Sequence, residues 1–279
     1  MIKSKISIKC LACNTKMSLF SCQKNYEIFK CPKCNLGMTS NLIIKENNYH
    51  RDEDYINNQK QFENIYQKRV NIVNKFSNNI GKALEIGSST GLLLKLMQKK
   101  GWDVMGVEMS VKAGEFARKQ KIPTLITSFE KVNLPKESFD AIVLNHTLEH
   151  LSDPDQIIKK IYSLLDKDGI IFIDVPNFGG LSAKILGKKW PYLLPNEHYW
   201  HFTLKSLSKI LKRNNFKIIY HELSSGIWDY QNPWLELWQS FSTFKKRFFI
   251  NFFTLIPTLI ISKFNQGSGL IVTAQKISK

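Results

Sequence analysis

The sequence predicts an α/β fold, a doubly wound and mostly parallel sheet with a small cysteine-rich module ahead of it. Three observations carry that expectation. The apolar run Ala83-Leu84-Glu85-Ile86 breaks into the turn Gly87-Ser88-Ser89-Thr90-Gly91, and apolar residues then resume at helical spacing as Leu92, Leu93, Leu94, Leu96 and Met97. Beyond it, apolar runs of strand length alternate with runs of helix length, as parallel strands joined by crossover helices require. Ahead of it, Cys10-x-x-Cys13 and Cys31-x-x-Cys34 stand seventeen residues apart.

A chain of 279 residues with 43% apolar content buries one sizeable core and carries an appendage besides. The net charge of +17 is uneven: basic groups exceed acidic ones by seven before Gly81, by two over 81–202 and by eight after that. Such ends suit anionic partners, whether nucleic acid, phospholipid or a phosphorylated substrate, or form a solvated lysine surface. Met1 to Lys9 has no apolar run of the secretory kind, so a cytoplasmic protein is expected.

The cysteines come first in chain order. Each Cys-x-x-Cys pair presents two thiolates from one tight turn, and the spacing between pairs is that of a zinc ribbon. Cys10, Cys13, Cys31 and Cys34 are therefore expected to hold a structural Zn²⁺ in a ribbon over 1–45, with no open position for catalysis. Cys22, within the hairpin between the pairs, is the spare thiol. Residues 46–80 read as a linker, polar up to about 60, and a leading helix from Tyr55 to Phe76, in which Phe62, Ile65, Tyr66, Val70, Ile72, Val73 and Phe76 follow helical spacing. Residues 81–279 make the main domain.

At the glycine turn a nucleotide-bearing ligand is expected. A dinucleotide needs three glycines in G-x-G-x-x-G, and only Gly87 and Gly91 are present. Glu85, just before the turn, would repel a pyrophosphate and suits a cationic amino acid group. S-adenosylmethionine carries an ammonium and a sulfonium and no phosphate, so the chemistry favours it. Glu108 ends the next strand, about twenty residues on, where a carboxylate can accept both ribose hydroxyls.

Glu85-x-Gly87-x-Ser89-x-Gly91 resembles motif I, acidic-x-Gly-x-Gly-x-Gly, of the class I S-adenosylmethionine-dependent methyltransferases, with Ser89 in place of the middle glycine. The order of the later motifs extends the resemblance over roughly Phe62 to Lys279: Glu108, then Ser128-Phe129-Glu130, then Ser138 to Val143 leading into His146-Thr147-Leu148-Glu149-His150. The resemblance implies a Rossmann-like sheet of seven strands and a cofactor-binding set of Glu85, Gly87, Ser88, Gly91, Glu108, Met109, Ser128, Phe129 and Asn145. In it, Glu85 and Gly87 hold the methionine end, Glu108 the ribose, and Ser128 with Phe129 the adenine. Because ligands of such sheets bind at the carboxyl ends of the strands, Glu85, Glu108, Ser128, Asn145 and Asp174 are expected to converge there.

Later elements keep the same alternation. Strands are expected at Thr124 to Thr127, Phe139 to Leu144 and Ile170 to Val175, with helices at Val111 to Gln120 and Asp155 to Leu165 and a closing turn at Asp168-Gly169. Pro195-Asn196-Glu197-His198-Tyr199-Trp200-His201-Phe202-Thr203 is similar to the Glu-His-x-x-x-Phe-Thr segment that serves the substrate side in the resembling family. His198 is the candidate general base, its ordinary pKa lying near neutrality. The alternative is that His198 and His201 only fix the loop.

Phe248 to Ser262 is nearly continuous apolar sequence behind Lys245-Lys246-Arg247, interrupted by Pro257. It falls short of the about twenty residues a membrane span needs. Two readings stay open: a buried pair of short helices, or a flap entering a membrane interface with its basic flank on anionic lipid. A final strand from Gly269 would make the segment an insertion at about 228–264. Methyl transfer to a small-molecule, glycan or lipid-linked acceptor is the function these features imply. An RNA methyltransferase and a non-catalytic scaffold are the alternatives, the former disfavoured because Asn145-His146-Thr147-Leu148 has no likeness to an Asn-Pro-Pro-Tyr catalytic sequence.

Overall fold

The computed structural model describes residues 8–23, 26–40, 52–243 and 247–277. The N-terminal module contains β1 (Ser18–Gln23), β2 (Tyr26–Lys30) and β3 (Gly37–Ser40), paired antiparallel in that order. Each cysteine knuckle closes on an asparagine with positive φ. Asn14 donates to the Cys10 carbonyl at 2.8 Å and Asn35 to that of Cys31 at 2.9 Å. Asparagine tolerates this left-handed conformation better than most residues.

Then come α1 (Asp52–Asn57) and α2 (Gln59–Phe76). The polar stretch expected as linker thus already holds a helix from Asp52. Its first turn is Asp52, Glu53 and Asp54, negative charge where the helix dipole favours it. Asp52 accepts from the Ser110 hydroxyl, and Lys112 Nζ reaches Glu53 at 2.6 Å. These partners are distant in sequence, so local composition does not reveal the helix.

The main sheet is built from β4 (Lys82–Ile86), β5 (Asp103–Glu108), β6 (Thr124–Ile126), β7 (Phe139–Asn145) and β8 (Leu165–Pro176), joined by α3 (Leu92–Gln98), α4 (Val111–Lys119) and α5 (Pro154–Leu164). After β8 come α6 (Leu181–Leu186), the short β9 (Trp200–His201), α7 (Leu204–Arg213) and β10 (Phe216–Glu222). The chain ends with α8 (Pro233–Ser242), α9 (Arg247–Lys263) and β11 (Gly269–Lys276). The seven strands lie in the order β10-β11-β8-β7-β4-β5-β6, parallel from β8 to β6, with β11 antiparallel to both its neighbours. This is the Rossmann-like sheet the sequence predicts.

Alternation along the strands makes two cores. Ala83, Val143 and Phe172 face one side, against Val70 and Val73 of α2 and Leu93 and Met97 of α3. Leu84, Ile142 and Ile171 face the other, against Ile158 of α5 and Leu207 of α7. Both faces are covered, which is why the central strands read as continuous apolar runs. Asp168-Gly169 does not separate α5 from its strand: β8 begins at Leu165, and the register against β7 slips between Phe139 and Ala141 to accommodate the extra residues. Asp168 there has φ +61°.

The N-terminal module is joined to the main domain by β9. Gly37 pairs with His201 and Met38 with Trp200, so β9 is the fourth strand of the small sheet. Cys10, Met17, Cys34 and Leu36 share an apolar cluster with Trp200, Phe202 and the β4 to β8 face. Thr203 Oγ1 donates to the Cys34 carbonyl at 2.8 Å, and Arg213 Nη1 to that of Leu11 at 2.8 Å.

The apolar insertion is a helical hairpin between β10 and β11. Pro257 does not break α9, which runs through it. The bond Pro257 cannot donate falls at Phe253, one turn back and exposed, where a lost bond costs least. Among the described residues no helix is long and apolar enough to cross a membrane.

Candidate functional site

The glycine turn is shaped by close approach. Gly87 (φ +73°) donates to the Val107 carbonyl at 2.8 Å, and a Cβ on it would lie 2.5 Å from Thr147 Oγ1. Ser89 adopts φ +45°, in the left-handed region that favours glycine. Its backbone N–H donates to Glu108 Oε2 at 2.7 Å, while Glu108 Oε1 accepts from Ser110 N at 2.8 Å. These amides, with that of Met109, fix the Glu108 carboxylate. Burial raises the Glu108 pKa, and these amides oppose the rise.

Gly106 sits within β5 because Ser88 packs against it: a Cβ there would lie 2.4 Å from Ser88 Oγ. Sequence reasoning missed it, although a glycine inside a strand is itself a sign of close approach. Glu85 ends up buried, its pKa raised well above the usual carboxylate range by burial and by Glu108. Glu85 Oε2, Ser88 Oγ and Asn145 Oδ1 are buried without a hydrogen-bond partner. Buried polar atoms of native proteins find partners, so three such atoms around one turn mark where a polar ligand belongs. Carboxyl, amide and hydroxyl oxygens are the donor set for an ammonium, and S-adenosylmethionine fits it.

The carboxyl ends of β4 to β8 place Glu85, Glu108, Asn145 and Asp174 along one edge, with Ser128 two residues past β6. Asp174 is engaged elsewhere: Arg69 of α2 reaches its Oδ2 through Nε at 2.8 Å and Nη2 at 2.6 Å. Tyr66, one turn earlier on α2, has its hydroxyl pKa raised by burial and then by Tyr55 and Glu85, with Asn145 opposing. Tyr66 was missed because its apolar-face spacing reads only as packing, and Arg69 because its partner Asp174 is 105 residues away. Gly91 (φ +73°) caps α3, and Met109 is exposed. The Phe129 ring is turned into the core beneath Lys160 Nζ, 4.6 Å from its centroid, so any adenine contact from this position falls to the backbone.

The histidines gather one strand over. His146 (φ +52°) comes directly after β7, its Nδ1 3.4 Å from Glu149 Oε1. His150 Nδ1 lies 3.0 Å from the Glu197 carbonyl and His198 Nδ1 3.1 Å from the Tyr192 carbonyl, with the two rings edge to face at 4.7 Å. Burial pushes His198 down to about 4, so its imidazole is neutral at pH 7. Burial works against the Glu149 charge, yet His146, His150 and His198 together hold its pKa down to about 2. His201 has a different task, its Nε2 meeting Thr39 Oγ1 of β3 at 3.0 Å.

The four thiols of Cys10, Cys13, Cys31 and Cys34 form a cluster with Sγ atoms within 4.8 Å of one another, the closest pairs at 3.4 Å. Tetrahedral zinc with bonds of about 2.3 Å sets its sulfurs about 3.8 Å apart, so the cluster fits that ion. Cys22 lies outside it and is exposed.

Residues 58–221 match a protein family described as a methyltransferase domain. An uncharacterized methyltransferase of Oceanobacillus iheyensis is 25% identical over 191 residues, 63% of this chain and 89% of the relative. A ubiquinone biosynthesis O-methyltransferase of Pelagibacter ubique is 33% identical over 152 residues, 49% of this chain and 62% of the relative. The fold is similar to phosphoethanolamine N-methyltransferase 2 of Haemonchus contortus in complex with S-adenosyl-L-methionine, with a TM-score of 0.61 and 15% identity over 87% of this chain and 63% of that one.

Proposed function

The chain belongs to the class I S-adenosylmethionine-dependent methyltransferases, and from that premise we propose that it methylates a hydroxyl of a small-molecule, glycan or lipid-linked acceptor. One observation carries the reading: Glu85, Ser88 and Asn145 each keep a buried oxygen without a hydrogen-bond partner beside the glycine turn, at the strand ends where Glu108 also stands.

On this reading Glu85 takes the ammonium of the cofactor, Glu108 the ribose hydroxyls, and Ser128 with the Phe129 backbone the adenine. Bound there, S-adenosylmethionine supplies a methyl group already activated by its sulfonium. The chain has to place the acceptor and accept its proton. His198 Nδ1 is tied to a carbonyl, so Nε2 carries the lone pair and takes the hydroxyl proton. The oxygen pair then forms the O–CH₃ bond while the sulfur keeps the electrons of the bond that breaks.

A zinc ion on the four cysteines would hold the ribbon, and through β3 and β9 the ribbon holds the loop that bears His198. The outer face of the α8–α9 hairpin, with Trp234, Trp238, Phe249, Phe253 and Ile256 exposed, supports an acceptor met at an anionic lipid surface.

Calorimetric titration of zinc-loaded protein with S-adenosylmethionine and S-adenosylhomocysteine tests the reading. Both should bind, and Glu108→Ala should weaken each by about tenfold or more, the loss of one to two charge-assisted hydrogen bonds. Absence of binding to either would sink it.

A further inference from the structure

We propose that Asp229 binds a positively charged amino group of the acceptor, so that the acceptor carries an ammonium as well as the hydroxyl that is methylated. The proposal rests on the reading of His198 as the base for that hydroxyl.

The carboxylates along this edge have partners, with one exception. Arg69 Nη2 holds Asp174 at 2.6 Å, Lys68 holds Glu222 at 2.5 Å, and His146 Nδ1 lies 3.4 Å from Glu149. Backbone amides hold Glu108, and Glu85 is assigned to the cofactor ammonium. Asp229 is half-buried, and among the described residues its carboxyl meets only the Ser224 hydroxyl, on Oδ1. Both cations that act on it are engaged elsewhere. Arg69 turns Nε and Nη2 to Asp174 and gives Nη1 to the Asp229 main-chain carbonyl at 3.1 Å, while Lys68 lies between Glu222 and the Trp228 carbonyl at 2.6 Å. Burial raises the Asp229 pKa and Asp174 adds to the rise, with Arg69 and the Ser224 hydroxyl opposing it. A cation brought against Oδ2 relieves the cost of holding that charge out of water.

Its place is the acceptor side of the sheet. Asp229 ends the turn Gly226–Asp229 after β10, which the Lys68 and Arg69 bonds pin to α2. Gly269 opens β11 opposite Pro176 at the end of β8, and a Cβ on it would lie 3.7 Å from Asp229 Oδ1. The carboxyl therefore stands at the carboxyl end of β8, beside the strand from which His146 and Glu149 follow. Tyr192 connects it with the base. The Tyr192 carbonyl accepts from His198 Nδ1 at 3.1 Å, and its phenol pKa is raised by burial and then by Asp229. One exposed tyrosine thus reaches from the base to the carboxylate.

Such a site separates the two ends of the acceptor chemically. An amino group held as ammonium on Asp229 has its lone pair bound to a proton, so it does not attack the methyl group. The hydroxyl gives its proton to His198 Nε2, and its oxygen takes the methyl. A phosphate in this position would meet the Asp229 charge, so the net charge of +17 does not describe this end of the site.

Zinc-loaded protein saturated with S-adenosylhomocysteine is titrated calorimetrically at pH 7 with three matched pairs: glucosamine and glucose, ethanolamine and ethylene glycol, dopamine and 4-ethylcatechol. In at least one pair the amine should bind about tenfold tighter or more, as a charge-assisted hydrogen bond gives. In that pair the N-acetylated amine, which carries no charge, should bind no better than the amine-free partner. Asp229→Asn and Asp229→Ser should each bring the two members within about twofold of one another, the charge being gone. Their S-adenosylhomocysteine affinity should match the wild type, which reports that they fold. No preference for the amine in any pair, equal binding of the N-acetylated amine, or a preference that survives both substitutions would overturn the proposal. S-adenosylhomocysteine separates the failures. If it binds and no pair discriminates, only the role of Asp229 falls. If it does not bind, the methyl-transfer reading falls and takes this proposal with it.

Discussion

The ribbon and the α8–α9 hairpin are both additions to one seven-stranded sheet, attached in opposite ways. The ribbon shares a strand through β9, side-chain bonds through Thr203 and Arg213, and an apolar cluster with β4 to β8. The hairpin is fastened at its root, where Ser225 N meets Ser262 Oγ at 3.1 Å and Trp228 Nε1 the Leu255 carbonyl at 3.2 Å. Its outer face carries Phe249, Phe253, Ile256 and both Trp234 and Trp238 into solvent. Burying such a side chain stabilises by about 1.5 to 3 kcal/mol, so the five together leave on the order of 10 kcal/mol unrealised. The ribbon is held by a shared strand and a shared core, whereas the hairpin keeps its outer face free.

The sharpest way to break the comparison is to unfasten the ribbon. Cys31→Ser should unfold it, since a structural zinc site supplies on the order of 10 kcal/mol of folding free energy. Methyl transfer should then be lost, while S-adenosylhomocysteine affinity holds, because Glu85 and Glu108 lie on β4 and β5. A parallel loss of affinity would show that the ribbon also props the cofactor edge.

A middle-sized effect tests the joint alone. Burial lowers His201 from 6.5 to about 3, so the unfolded chain takes up this proton more readily than the folded one between those values. Stability from this group is complete above about pH 6.5 and is lost as pH falls toward 3, about 2 kcal/mol of it by pH 5. Urea unfolding at pH 7 and pH 5 should show a loss of that order in the wild type and a shallower one in His201→Gln. Equal slopes would remove His201 from the joint.

The smallest effect on stability is expected at the hairpin. Phe253→Ser should leave the urea midpoint within about 0.5 kcal/mol, as exposed positions do. Binding to anionic phosphatidylglycerol vesicles should fall about tenfold, in line with one apolar side chain withdrawn from the interface. Unchanged vesicle binding would make the exposed face irrelevant to lipid.

What the sequence disclosed divides along the same physical line. The glycine turn and the cysteine pairs were legible because each depends on residues close in sequence, and β11 was legible as a strand from its own apolar run although its partners in β8 are far away. Ser89 shows the limit of reading by residue type: it departs from the glycine pattern and still takes φ +45°, held through Glu108. Arg69 and Glu149 were not legible as site residues. Their roles come from partners far away in sequence, Asp174 for one and the loop around His198 for the other. Pro257 interrupts the apolar run in sequence but not the helix, the carbonyl it leaves unbonded being that of the exposed Phe253.

The pairing of β3 with β9 also sets a timetable for synthesis. Thr39 and His201 are 162 residues apart, so the ribbon leaves the ribosome long before the strand that completes its sheet. At about 5 to 20 residues per second the wait is on the order of 10 to 30 s. Throughout that interval the two cysteine knuckles have only the ribbon's own three strands and the zinc proposed for them as support, and on that proposal a cell short of zinc would meet the defect at the ribosome before it appeared in the finished enzyme.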